Sequence, residues 1–263
     1  MAVAHSPFGG CYMLGFITVL AYFLSLIPLA LVNRVFYALD RKRCQKVNSY
    51  ITSVCARRAF AMSGTYIGFR FAGEANLKDK LPDQYIVMSN HQSLLDIPLY
   101  GTFLDGARLR FVAKAELGRS IPLISVLLRS GQHCLVKRSG SPTQAMRAVD
   151  AFAERIRKNG CIPVIFPEGT RSRDGKVGTF HAAGFRRLVE RAPLPVAVCA
   201  LDGVWRVSSL FGLAKNLKGG KYRVKILKIY PAPETKADAV HILEEGKSLI
   251  EAQLAAWNGI PQA

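Results

Sequence analysis

Two short stretches of this sequence carry side chains that could move a proton and hold an anion. The first is Ser89-Asn90-His91-Gln92-Ser93-Leu94-Leu95-Asp96, in which His91 and Asp96 stand five residues apart. An Asp bonded to one ring nitrogen fixes the imidazole tautomer and leaves the other nitrogen as a base. On one continuous helix that spacing would put the two on different faces, so their pairing requires His91 in a turn and Asp96 in the first turns of a helix. A His near an Asp is most often a surface or capping pair, and a second stretch changes that balance. Phe166-Pro167-Glu168-Gly169-Thr170-Arg171-Ser172 sets a carboxylate, a glycine, a hydroxyl and a guanidinium in a row. The planar, permanently charged Arg171 suits bidentate contact with a phosphate.

Each stretch stands at the end of an apolar run that reads as a buried strand, Tyr85–Ser89 and Ile162–Phe166, giving way to a polar turn. Further strands are expected at Tyr66–Phe71, Leu109–Ala113, His133–Lys137, Pro195–Leu201 and Tyr222–Tyr230. Helices are expected at Leu94–Phe103, Ile121–Leu128, Thr143–Arg157, Ala182–Arg191 and Ala237–Trp257. Strands alternating with helices predict an α/β fold, a mixed, mostly parallel sheet flanked by helices. Ligand-facing loops then lie at the carboxyl ends of the strands, where both polar turns fall.

The chain has 263 residues, half of them hydrophobic, which suits one α/β domain plus an appendage. A formal charge of +18 predicts attraction to an anionic partner. Cys11, Cys44, Cys55, Cys134, Cys161 and Cys199 form no C-x-x-C pair and read as reduced packing residues of a cytoplasmic domain. Residues 11–32 carry no charge and are long enough to cross a bilayer, although Pro28 could kink or end the helix, leaving a re-entrant or interfacial hairpin open. Arg34, Arg41, Lys42, Arg43, Lys46, Arg57 and Arg58 follow, against the single acid Asp40. Beside an apolar anchor this is a juxtamembrane basic patch, and the positive-inside bias places it and the remaining chain in the cytoplasm. Tyr50 to Ile67 reads as an amphipathic stretch lying in the interface. The expected division is a membrane-associated helical segment over residues 1–65 and the α/β domain over 66–263.

The pair His-x4-Asp and Phe-Pro-Glu-Gly-Thr-Arg, in this order and at this separation, resembles the glycerolipid acyltransferase family, the second motif without a substitution. The resemblance implies transfer of a fatty acyl group from a thioester, acyl-carrier protein or acyl-coenzyme A, to the free hydroxyl of lysophosphatidic acid, forming phosphatidic acid. His91 would be the general base and Asp96 its orienting partner; Glu168, Gly169, Thr170 and Arg171 would shape the acceptor site, with backbone amides of the Gly169 turn as oxyanion donors. Lys114 lies in a segment similar to the family's Lys-x-Glu-Leu, and Arg138 matches the arginine of its substrate-binding block. That block is altered here, with Lys137 at the usual Asp and Cys134 at the usual Phe; after the second motif, Phe180 and Gly184 fit but the usual lysine is missing. Pro195 and Val196 resemble the family's fourth block. No metal and no cofactor beyond the donor substrate is implied. The implied partners are membrane lipids, the lysophospholipid acceptor and the donor, with the catalytic domain on the cytoplasmic side of the inner membrane.

Competing motifs fail. Without G-x-S-x-G there is no nucleophile elbow. There is no H-E-x-x-H and no metal-ligand spacing, and Gly169 to Lys176 has the wrong spacing and end for a phosphate loop. His133 and His181 read as ordinary polar residues. A sister acyltransferase acting on a lyso-ornithine lipid, another lysophospholipid or glycerol 3-phosphate stays open. A non-enzymatic basic protein of membranes or nucleic acid would fit the charge but neither motif, and no aromatic-basic interleaving supports a nucleic-acid partner.

Overall fold

The computed structural model describes residues 7–74, 76–120, 122–137, 141–203, 205 and 219–259. Its centre is a seven-stranded sheet in the order β1-β7-β6-β2-β5-β3-β4. The strands are β1 Arg70–Glu74, β2 Ile86–Ser89, β3 Leu109–Lys114, β4 Cys134–Val136, β5 Ile162–Ile165, β6 Val196–Asp202 and β7 Lys221–Tyr230. All neighbours pair in parallel except β6 and β7, so the expected mixed, mostly parallel sheet is observed. The central strands β2, β5 and β6 are nearly continuous apolar runs because both faces of the sheet are covered there, whereas β7 alternates and β1 is largely exposed. Alternate residues go to opposite sides. Ile86, Met88, Val196, Val198 and Ala200 pack with Phe152, Phe185 and Ile250. Val87, Val164, Ala197, Cys199 and Leu201 pack with Leu99, Tyr100 and Phe103 on the other face.

The covering helices follow from the pattern and its punctuation. Helix α7 (Pro142–Asn159) starts at Ser141, whose hydroxyl accepts from the Gln144 amide, and ends at Gly160 in the left-handed conformation at φ 60°. Its buried Val149, Phe152, Ala153 and Ile156 recur at helical spacing. Helix α8 spans Ala182–Arg191. Helix α9 (Lys236–Trp257) opens with a Thr235/Asp238 capping box. On the other face lies α4 (Asp96–Phe103), while α5 (Leu117–Ser120) and α6 (Pro122–Ser130) connect β3 to β4.

Helix α1 (Pro7–Leu39) continues through Pro28 instead of ending there. Asp40 then caps α2 (Arg41–Tyr50), which passes through a π-turn at Ile51–Cys55 into α3 (Ala56–Ile67). The strand expected at Tyr66–Phe71 is displaced for this reason: helix α3 holds Tyr66 and Ile67, Gly68 ends it at φ 66°, and β1 starts at Arg70. The amphipathic Tyr50–Ile67 stretch is thus helical throughout, with Met62 and Tyr66 exposed.

One side of α1 is tied to the domain. Fully buried Asn33 donates to Asn48 Oδ1 at 2.8 Å and to Ser130 Oγ at 3.0 Å, and the Cys44 thiol donates to Asn33 Oδ1 at 3.0 Å. The other side exposes Phe16, Leu20, Leu24, Ile27, Leu31 and Val35, a stripe at helical spacing. Among the described residues, Phe16–Leu39 is the stretch long and apolar enough to cross a membrane. Cys44, Cys55, Cys134, Cys161 and Cys199 are free thiols, four of them buried.

Candidate active site

The register of the central strands sets the site. Val87 lies opposite Val164 and Met88 opposite Ile165, so β2 and β5 end level, and the two polar turns leave the sheet side by side. Asn90 fixes the first turn: its amide donates to the Leu201 carbonyl at 2.9 Å, and its carbonyl accepts from the Leu201 amide at 2.8 Å. The side chain thereby continues the ladder between β2 and β6 one step past the strand.

His91 Nδ1 and Asp96 Oδ2 are 2.5 Å apart, so the expected pairing is present. The helix begins at Asp96, two residues later than expected, and this is what aims the carboxylate back over the turn. Asp96 Oδ2 also accepts from the amides of Gln92 at 2.7 Å and Ser93 at 3.0 Å. Oδ1 accepts from the Tyr222 hydroxyl on β7. Asp96 is fully buried, and these donors hold its carboxylate in one plane. The His91 ring stacks on Phe166 at 4.2 Å between centroids and 12° between planes. Its side chain is 17% exposed. With Nδ1 facing the carboxylate, Nε2 is the nitrogen left to act as a base.

The second motif joins the first through the backbone. The His91 amide donates to Glu168 Oε1 at 2.8 Å, and the Ser172 amide donates to the His91 carbonyl at 2.8 Å. Glu168 Oε2 accepts from the Gly178 amide at 2.9 Å. Burial raises the Glu168 carboxyl above its usual range, while these two amides pull it down and do not cancel the burial. Glu168 is 4% exposed, and both its oxygens are taken by backbone donors. It braces the two turns against each other.

Gly169 adopts φ 62°, which glycine permits without strain, and its amide donates to the Phe166 carbonyl at 2.9 Å. That amide closes the turn and is therefore engaged within the protein, one of the turn's backbone amides expected as oxyanion donors. Thr170 is exposed and Arg171 half-buried, and the residue after them, Ser172, bonds the His91 carbonyl through its amide. Lys114, exposed at the carboxyl end of β3, shares this edge of the sheet two strands from β2, roughly 10 Å across. Arg138 lies outside the described residues. His133 accepts from the Phe111 amide at 2.9 Å, and burial pushes it down to about 3, which makes it a neutral structural residue. His181 precedes α8, its amide bonded to the Pro167 carbonyl.

The site residues that sequence reasoning missed are Tyr222, Asn90 and Phe166. Phe166 stands in the second motif, and Asn90 directly follows a strand, so a signal existed for both. Tyr222, 126 residues from Asp96, carries none.

The geometry agrees with what comparison finds. The family described as Acyltransferase matches residues 69–202, half of the chain. A 1-acyl-sn-glycerol-3-phosphate acyltransferase of Cocos nucifera is 32% identical over 128 residues, covering 48% of this chain and 40% of that protein. A lyso-ornithine lipid O-acyltransferase of Pseudomonas aeruginosa is 26% identical over 193 residues, covering 69% of this chain and 72% of that protein. The matched part thus spans about two fifths of the coconut protein's length and nearly three quarters of the bacterial one's. In fold, the chain is similar to the crystal structure of the 1-acyl-sn-glycerophosphate (LPA) acyltransferase PlsC from Thermotoga maritima. The TM-score is 0.62 at 22% identity, over 92% of this chain and all of that one.

Proposed function

Because the chain belongs to the acyltransferase family, we propose that it transfers a fatty acyl group from a thioester to the free hydroxyl of lysophosphatidic acid, forming phosphatidic acid. The observation that carries this reading is the His91–Asp96 pair joined through Glu168 and Ser172 to the turn that bears Arg171. Neutral His91 takes the proton from the attacking hydroxyl through Nε2, and Asp96 orients the ring and stabilises the imidazolium. Such a base contributes about 10²–10⁴ in rate. A thioester is already activated and its thiol leaves readily, so direct attack needs no covalent enzyme intermediate and no cofactor. The remaining acceleration comes from holding acceptor and donor together. Arg171 receives the acceptor's phosphate, with Lys114 at the same end of the sheet as a further cation, and Arg138 assists as the family's substrate-binding block implies. Glu168 positions His91 and the motif turn instead of contacting the glycerol.

A second reading keeps the chemistry and changes the acceptor to a lyso-ornithine lipid. The Pseudomonas relative favours it, being covered over more of its length than the coconut protein, as do Cys134 and Lys137 at altered positions.

Residues 1–65 form the membrane anchor and 66–263 the catalytic part, placed at the cytoplasmic side of the inner membrane by the basic residues after α1. The polar contacts of Asn33 and the exposed stripe from Phe16 to Val35 favour α1 lying against the domain with one side in lipid over a simple crossing. Acceptor and product are amphiphiles, so an enzyme held at the interface meets them in the bilayer. The basic surface attracts the donor, an acidic carrier protein or coenzyme A thioester.

The test is acyl transfer by purified protein, with labelled acyl-carrier protein and acyl-coenzyme A against a panel of acceptors. Transfer to lysophosphatidic acid above all others is expected. His91→Ala should abolish transfer while leaving the melting temperature and vesicle binding unchanged; substantial turnover by this variant would remove His91 as the base.

A further inference from the structure

We infer that Tyr222 is a positioning residue for the catalytic pair, its phenol being the donor that fixes the Asp96 carboxylate and through it the His91 ring. This rests on the proposed role of His91 and deepens it. Three donors converge on Asp96 Oδ2: His91 Nδ1, the Gln92 amide and the Ser93 amide. All three are local, lying within five residues of Asp96 along the chain. They leave the carboxylate free to pivot about Oδ2. Oδ1 lies in a fully buried position, and the hydroxyl that reaches it comes from β7, across the sheet. A buried carboxylate oxygen without a donor costs the full desolvation of that oxygen, so this phenol decides where Oδ1 sits.

Tyr222 is itself held still. It is fully buried, it pairs with Phe71 in the β1–β7 ladder, and its ring meets Phe69 edge-on at 6.1 Å and 88°. The next residue, Arg223, is anchored by a 2.8 Å ion pair to Asp202 at the carboxyl end of β6. The antiparallel β6–β7 pairing sets Asp202 opposite Arg223, which brings the start of β7 to the edge where the parallel strands finish. A strand running the other way would carry this position to the far side of the sheet. Burial and the neighbouring Asp96 charge both push the Tyr222 phenol well above its usual range, so it stays protonated and remains a donor at every pH at which the protein works.

The expected consequence has a sign. A phenol donating to Asp96 withdraws negative charge from the carboxylate and weakens its hold on the imidazolium. In Tyr222→Phe that donor is gone, the carboxylate holds the ring proton more tightly, and His91 titrates at higher pH. Of the other ionisable groups, Glu168 from the turn after β5 acts on both members of the pair and Tyr100 from α4 acts on Asp96, while Asp202 on β6 acts on Tyr222. The substitution leaves all of them in place.

The experiment is an NMR titration of imidazole-labelled protein, wild type and Tyr222→Phe, with the His91 signal assigned by its loss in His91→Ala. Acyl transfer is measured on the same samples. The expected result is an upward move of the His91 midpoint by about one unit, at the lower end of what one hydrogen bond to a charged group is worth because the bond acts on His91 through Asp96. In the transfer assay kcat should fall several-fold with KM for the acceptor unchanged, and the acidic limb of the pH profile should move the same way. An unmoved His91 midpoint overturns the inference whatever the activity. Wild-type protein that transfers no acyl group to any acceptor overturns the proposed function instead, and the titration still decides Tyr222. Should Tyr222→Phe fail to fold, site-specific replacement of Tyr222 by 3-fluorotyrosine, a stronger phenol donor of nearly the same size, should move the His91 midpoint downward. An unmoved midpoint in that variant would equally overturn the inference.

Discussion

Replacing Glu168 tests whether that residue acts as a brace or as a ligand. Its oxygens accept the amides of His91 at 2.8 Å and Gly178 at 2.9 Å, and it is 4% exposed. Hydrogen bonds to a charged group contribute about 1.5–3 kcal/mol each, and desolvation of the buried carboxylate offsets part of that. In Glu168→Gln one oxygen becomes an NH₂ facing a backbone N–H, a donor against a donor, for a net cost of about 1.5 kcal/mol. In Glu168→Ala both buried amides lose their acceptor, which costs about 3 kcal/mol or more. For a chain of this size, about 2–4 °C of melting temperature accompanies each kcal/mol, so losses of roughly 5 °C and 10 °C are expected in thermal melts followed by circular dichroism. The pH dependence carries a sign as well. Burial holds the folded carboxyl above its ordinary value, so its contribution is fully present below about pH 4.3 and is lost as pH rises through the raised value. Wild-type stability should therefore decline across that mildly acidic window, and Glu168→Gln should lose this component. In transfer assays kcat should fall in both variants, because the His91 backbone is released. Variants as stable as wild type, with only KM for the acceptor raised, would refute the brace and restore Glu168 as a direct ligand.

Arg171→Ala should chiefly raise the KM for a phosphorylated acceptor, by tenfold or more for a lost charge-assisted pair, and an unchanged KM in acceptor kinetics removes Arg171 from that role. Gly101→Ala should be among the most destabilising changes in the chain, since an added Cβ would lie 2.2 Å from the Thr52 carbonyl oxygen and force α4 from the π-turn. Overpacking of this kind costs about 1–3 kcal/mol or more and is read as a lower denaturation midpoint. Leu24→Asp with Leu31→Asp places two charges on the exposed stripe of α1, each weakening lipid binding by about 2 kcal/mol or more. Sedimentation with vesicles should show release of a protein that still melts normally.

Much of the molecule was legible in the chain. Continuous apolar runs announced strands buried on both sides, and α7, α8 and α9 lay close to their expected bounds because their caps and apolar faces are local features. The first strand was misplaced because Tyr66 and Ile67 suit a strand equally well, and only the helix running on from the π-turn to Gly68 decides between them. His91, Asp96, Glu168 and Arg171 could be named from residue type and spacing, since a base needs an orienting acid close in sequence and a phosphate needs a guanidinium. What the spacing could not supply is the job of each oxygen. Glu168 is a brace because two amides reach it, and the Gly169 amide closes a turn because Phe166 takes it. Tyr222 meets Asp96 because β7 runs antiparallel to β6, a pairing of strands distant in sequence. Short-range chemistry is written in neighbouring residues; contacts across the sheet depend on which strands pair and in which direction, and the packed chain alone decides that.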